Sequence, residues 1–184
     1  MATAFPATWV ALLRAVNLGK VNRLAMADLR ASLEALGYGD VRTLLQSGNA
    51  LFTATGSKKA AGLEREIADR IKADVGLGIE VVVLSGKELA SIVDANPFAG
   101  RRGVDLKELG VAFLSGKPAD AKVNALDANA YAPEEFAIGD RVVYVRQPSG
   151  IRASKLPNWE RALDVVATAR NWNTTLRLRD LADG

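Results

Sequence analysis

The 184-residue chain contains no cysteine and no histidine. The first absence excludes disulfides, thiolate nucleophiles and iron–sulfur ligation. The second excludes a Ser-His-Asp triad and imidazole ligation of zinc. Acid–base chemistry would fall to Asp, Glu, Lys or Tyr, and a bound metal would be a hard cation such as magnesium held by oxygens. The spacing of the carboxylates demands neither, so no metal and no cofactor is expected. No catalytic motif stands out, which leans against an enzyme. No stretch approaches the roughly 20 apolar residues that span a bilayer. Met1 to Thr8 lacks a charged segment followed by a long apolar run, and a cytoplasmic protein is expected. An excess of one charge sign is also lacking: 24 basic residues face 21 acidic ones, a net charge of +3. Despite a pI near 9.3, this is a weak pointer to nucleic acid.

What is present is apolar patterning. Hydrophobic residues make up 49% of the chain, enough for a sizeable core in one large domain or two small ones. Thr8 to Val16 is almost continuously apolar, which predicts a central strand covered on both faces. Arg14 interrupts it, either snorkelling to solvent or facing an anion site. A polar loop follows from Asn17 to Asn22. Met26, Leu29, Leu33 and Leu36 then recur at helical spacing, with Gly37 and Gly39 as the stop. Val41 to Leu45 and Ala50 to Thr53 flank Gln46-Ser47-Gly48-Asn49, a hairpin pattern. Leu63, Ile67 and Ile71 predict a second helix, and Ile79 to Leu84 another buried strand. Ser85-Gly86-Lys87-Glu88 has the form of a capping box opening a helix.

The tetrapeptide Leu-Ser-Gly-Lys occurs at Leu84 and again at Leu114. Both copies lack the first glycine of a phosphate loop, and Pro118 follows Lys117, so capping and turn chemistry suffice. Gly100-Arg101-Arg102-Gly103 is the most loop-like internal segment and predicts a boundary between residues 1–99 and 100–184. Beyond it lie a strand at Gly110 to Leu114, a helix after Pro118 with Val123 and Leu126 inward, and strands Glu135–Ile138 and Arg141–Val145 around Gly139-Asp140. The order strand, helix, hairpin, helix thus occurs twice. The expected fold is α+β, with two ferredoxin-like βαββα(β) lobes, the second matching the first up to its closing strand. Gln147 to Lys155, with Arg146, Arg152 and Lys155, is the best electropositive loop. Ser154 is expected to cap the helix carrying Trp159 and Leu163, and Asn173 or Thr174 the last helix, with Trp172 as a core anchor.

Three sets of residues then carry a family resemblance. Leu-Leu-Arg-Ala-Val-Asn-Leu-Gly-Lys-Val-Asn with a downstream Met-x-x-Leu-Arg and Gln-Ser-Gly-Asn resembles the opening of the bacterial domain-of-unknown-function family sixteen-ninety-seven. Asn96-Pro97-Phe98 resembles its middle, and Thr168-Ala169-Arg170-Asn171-Trp172 with Thr174 its C-terminal signature. The Asn17-Leu18-Gly19-Lys20 loop is one residue shorter than the family's double-glycine form. The resemblance implies a two-lobed α+β fold and no known activity, substrate or cofactor.

Three functional readings follow. The first is a small anionic or nucleotide-like ligand bound between the lobes by Arg14, Asn17, Asn22, Gln46, Asn49, Arg170 and Asn171, whose guanidinium and amide groups supply charge and orientation. The second is an RNA- or DNA-binding module using Arg146, Arg152 and Lys155. The aliphatic strand Val10 to Leu13 weighs against it, because RNA-binding sheets of this order expose aromatic side chains. In the third the polar motifs are structural, satisfying backbone groups in a protein–protein interaction scaffold.

Overall fold

The computed structural model describes residues 7–19 and 22–184. The first six residues, and Lys20 and Val21 of the polar loop, lie outside the described residues. The chain forms two compact units, residues 1–90 with 178–184, and residues 91–177. The loop at 100–103 falls inside the second.

The first unit runs β1 (Ala7–Leu13), α1 (Met26–Ala35), β2 (Gly39–Leu44), β3 (Asn49–Ala54), α2 (Ala60–Val75) and β4 (Val81–Ser85). Its antiparallel sheet has the order β2-β3-β1-β4, compatible with a ferredoxin-like βαββαβ arrangement. Alternate residues of the strands, Ala11, Leu13, Phe52 and Val83, pack with Leu29 and Leu33 of α1 and Leu63, Ile67 and Ile71 of α2. Val10, Leu12, Leu51, Val82 and Leu84, on the opposite face, are fully buried as well. Burial of both faces is why β1 reads as an uninterrupted apolar run. Glu64 accepts a hydrogen bond from the Val83 amide at 3.0 Å, occupying a main-chain donor of the edge strand β4.

The β2–β3 turn depends on two residues. Gly48 has φ +74°, and a Cβ there would collide with Val16 Cγ2 and lie 2.7 Å from Leu13 Cβ. The Asn49 side chain is fully buried and donates to the Leu44 carbonyl and Ser47 Oγ, each at 2.9 Å. Asn49→Leu should cost about 1–3 kcal/mol by leaving a buried carbonyl short of its donor, measurable by urea denaturation. After β4, Ser85 Oγ accepts from the Glu88 amide at 3.1 Å, and α3 (Gly86–Asp94) begins there, as the capping pattern predicts.

The second unit repeats the order with β5 (Leu109–Leu114), α4 (Asp120–Asn124), β6 (Glu135–Ile138), β7 (Val142–Arg146), α5 (Trp159–Leu163) and β8 (Ala167–Asn171). Its antiparallel sheet is β6-β7-β5-β8, the same arrangement strand for strand. The closing strand that sequence patterning does not reveal is therefore present. Ala-Thr-Ala-Arg-Asn lacks an apolar alternation because β8 is an edge strand with Ala169 and Asn171 exposed. Its last residue leads into α6 (Trp172–Asp183).

Both expected helix caps in this half are displaced by a few residues. Asn158 accepts from the Arg161 amide at 2.9 Å and caps α5, while Ser154 Oγ takes the Leu156 amide at 3.2 Å. Pro157 keeps Leu156 out of the helical region, so the helix starts only after it. At α6 the cap is Asn171, whose Oδ1 accepts from the Thr174 amide at 2.8 Å. Trp172 is buried, as expected of a core anchor.

One face of the second sheet holds the small core Ala112, Leu114, Val143, Val145 and Leu163. On the other, Tyr144 donates its hydroxyl to the Ile92 carbonyl at 2.9 Å, and burial raises the pKa of that hydroxyl. Arg146 bridges Glu108 at 2.9 Å and Glu135 at 2.8 Å, and Arg101 joins Glu135 at 2.8 Å. Hydrogen bonds from Arg146 and then Arg101 hold the Glu135 carboxyl below its usual range, outweighing the upward push of burial. A folded-state pKa below the unfolded one gives stability that is present above the ordinary glutamate pKa and lost as pH falls through the lowered value. Glu135→Gln should therefore flatten the acid side of a melting-temperature–pH profile and leave the alkaline side unchanged.

Candidate functional site

The two sheets correspond in register, and the second unit's cavity follows from that correspondence. In the first, Trp9 lies between Phe52 and Ser85, and Ala11 between Ala50 and Val83. In the second, Gly110 lies between Val145 and Asn171, and Ala112 between Val143 and Ala169. Gly110 thus takes the place of Trp9, Val145 that of Phe52 and Ala169 that of Val83. The covering helices also shrink: α1 and α2 have 10 and 16 residues, whereas α4 and α5 have five each. Small residues under short helices leave space. The result is a cavity of about 470 Å³, within the roughly 300–1,000 Å³ range of small-molecule sites.

The floor is Gly110, Ala112 and Ala169, and the walls include Val145, Leu156, Pro157 and Trp159. The Trp159 ring is held edge-on against Phe136 at 5.1 Å. Ile151, on the turn that follows β7, lines the cavity although it is 72% exposed. Lys107, Gln147, Ser154 and Asn171 also line it, and Arg170 lines it with its main chain, the Arg170 carbonyl lying 3.4 Å from where a Cβ on Gly110 would stand. Among the described residues, Lys107, Arg152 and Lys155 have no carboxylate partner. Lys107 is at the cavity, and Arg152 and Lys155 flank Ser154 on the loop that borders it. Buried Glu134 accepts from the Lys155 amide at 2.7 Å and so fixes the end of that loop.

The residues singled out from the sequence are distributed over both units. Arg170 and Asn171 line the cavity. Arg170 donates to Thr168 Oγ1 at 2.8 Å and to the Ala169 carbonyl at 2.7 Å, and burial lowers its pKa to about 10. In the first unit, Arg14 pairs with Glu80 at 3.0 Å. Asn17 donates to the Leu24 and Gln46 carbonyls at 2.9 and 2.7 Å and accepts from the Leu24 amide at 2.9 Å. Asn22 donates to the Ala15 carbonyl at 3.2 Å. These bonds tie the polar loop to the β2–β3 turn. They also hold Asn17 and Asn22 at φ +54° and +48°, the left-handed conformation that asparagine tolerates best after glycine. Of the basic trio, Arg146 is committed to Glu108 and Glu135, while Arg152 and Lys155 are both exposed on the loop.

Gly110, Gln147, Trp159 and Ala169 are site residues that sequence reasoning does not single out. Their signal is a comparison between halves, small residues in β5 and β8 where β1 and β4 carry Trp9 and Val83.

The fold and site define a two-unit α+β protein whose second unit has a cavity where the first carries larger side chains under longer helices. The chain belongs to the family described as Protein of unknown function (DUF1697), whose model matches residues 7–144. That span includes the polar loop, the hairpin and Asn96-Pro97-Phe98, and ends before β8. A solved structure with the same fold is that of the conserved bacterial protein SP0830 from Streptococcus pneumoniae. It is 22% identical, with a TM-score of 0.76 over 98% of this chain and 100% of that one. No curated protein matches the chain. Among the described residues, no helix is long and apolar enough to cross a membrane.

Proposed function

We propose that this is a cytoplasmic protein whose second unit binds a small anionic ligand in the cavity beneath α5. The observation that carries the reading is the cavity itself, an apolar pocket with Lys107 at its edge and Arg152 and Lys155 on its bordering loop, none of them paired with a described carboxylate. Unpaired cations beside an apolar cleft favour a ligand with an anionic group and an apolar body. Arg170 and Asn171 belong both to this cavity and to the seven-residue set expected from the sequence. The bonds of Asn17 and Asn22 to main-chain groups support a structural role for those two.

Commitment of Arg146 to two carboxylates removes the central member of the basic trio and weighs against the nucleic-acid reading. Calorimetric titration with phosphate- and carboxylate-bearing small molecules tests the proposal. Lys107→Glu should weaken binding about 5- to 10-fold at low salt, and the difference should shrink as salt screens the exposed charge. Equal affinity of wild type and variant at low salt would count against an anionic ligand.

A further inference from the structure

We infer that the body of the ligand is a flat heteroaromatic ring with a mixed donor and acceptor edge, so that the ligand is of the nucleoside monophosphate class. This rests on the anionic-ligand reading and specifies it. The first observation concerns two side-chain amides. Gln147 and Asn171 both line the cavity, and neither side-chain nitrogen donates a hydrogen bond among the described residues. The Asn171 amide has a fixed orientation: its Oδ1 accepts from the Thr174 amide at 2.8 Å, which leaves Nδ2 to donate. It is suited to a ring nitrogen or an exocyclic carbonyl. Gln147 is not anchored, and its Oε1 lies 4.0 Å from where a Cβ on Gly110 would stand. It supplies a donor or an acceptor beside the glycine.

The second observation is the shape and chemistry of the surfaces between those amides. A floor whose side chains stop at Cβ is flat, and Trp159 offers an aromatic wall. An aliphatic body would cover both amides without partners, which is unfavourable for buried polar groups. A sugar carries hydroxyls around its whole perimeter, and the apolar walls would leave most of them unpaired. A heteroaromatic ring has apolar faces for the floor and the indole, and concentrates its polar atoms at the edge, where the amides are. Its phosphate would then lie toward Lys107 and the bordering loop.

The test is a calorimetric titration of the full chain with purine and pyrimidine nucleoside 5′-monophosphates, ribose 5-phosphate, an alkyl phosphate and inorganic phosphate. At least one nucleoside monophosphate should bind about tenfold or more tighter than ribose 5-phosphate, the value of one to two well-placed hydrogen bonds with ring burial. Asn171→Ser keeps a side-chain oxygen for the cap and removes the amide. It should reduce that preference about tenfold while leaving the melting temperature close to wild type, and Gln147→Leu should reduce it as well. If ribose 5-phosphate or the alkyl phosphate binds as tightly as every nucleotide, the inference is wrong and the anionic-ligand reading stands. If nucleotides bind preferentially but both variants retain the full preference, the inference is overturned at these residues. Binding of none of these compounds overturns both.

Discussion

Replacing Ala169 with tryptophan is expected to abolish ligand binding, a loss beyond about 100-fold, with little change in melting temperature. Ala169 is exposed on the edge strand β8, yet its Cβ forms part of the cavity floor. An indole there would enter space that already exists. The filling therefore requires no rearrangement of a packed core, and tryptophan is a favourable strand residue. The companion substitution Ala112→Trp would be a poor test, because Ala112 is only 2% exposed and lies in the core beneath α5. Calorimetric titration of Ala169→Trp, with circular dichroism melting as the check on folding, separates blocked binding from lost structure.

The second large effect is on stability. Gly48→Ala should destabilise the first unit by about 3 kcal/mol, combining a left-handed backbone strain with overpacking. The added Cβ would lie 2.7 Å from Leu13 Cβ, at the end of β1, where the Leu13 amide donates to the Gly48 carbonyl at 2.8 Å. Neither the turn nor β1 can withdraw without losing that bond. For a chain of this size the change corresponds to a fall of roughly 6–12 °C in melting temperature. Gly56, and Gly76 at the C-terminal cap of α2, have the same sign of φ, but a Cβ added at either would meet nothing within 4 Å, so alanine there should cost distinctly less.

Much of the fold is legible in the sequence because its strongest signals are local. β1 is announced by an apolar run, α2 by Leu63, Ile67 and Ile71 on one face, and the β2–β3 turn by Ser47-Gly48-Asn49. The duplication of order is legible as well, since β6 and β7 flank Gly139-Asp140 as β2 and β3 flank their own turn. What patterning misses is β8, since an exposed edge strand needs no apolar alternation: one neighbour, β5, and one buried side chain, Thr168, are enough to hold it. The caps at Asn158 and Asn171 escape sequence patterning for a related reason. Several capping residues lie within a few positions of each helix start, and only backbone geometry, here set by Pro157 and by the end of β8, selects one.

The cavity is the least legible feature, because it is made by what is missing. Gly110, Ala112 and Ala169 carry no chemical signature one at a time. They acquire meaning only when β5 and β8 are aligned with β1 and β4 and the places of Trp9 and Val83 are found to be taken by a glycine and an alanine. The conspicuous polar residues have a different use. Asn17 and Asn22 stand out in the sequence, and their side chains are spent on carbonyls of the loop and turn they join. Asn171 belongs to both groups, capping α6 through Oδ1 and lining the cavity.

The most direct measurement is an amide chemical-shift map of the ¹⁵N-labelled full chain during titration with a nucleoside 5′-monophosphate and, separately, with inorganic phosphate. Binding in the second unit predicts saturable shifts concentrated at Lys107, Gly110, Gln147, Ser154, Ala169 and Asn171, including the side-chain amides of Gln147 and Asn171. Shifts confined to Asn17, Asn22 and Gln46, or none at millimolar ligand, would contradict it.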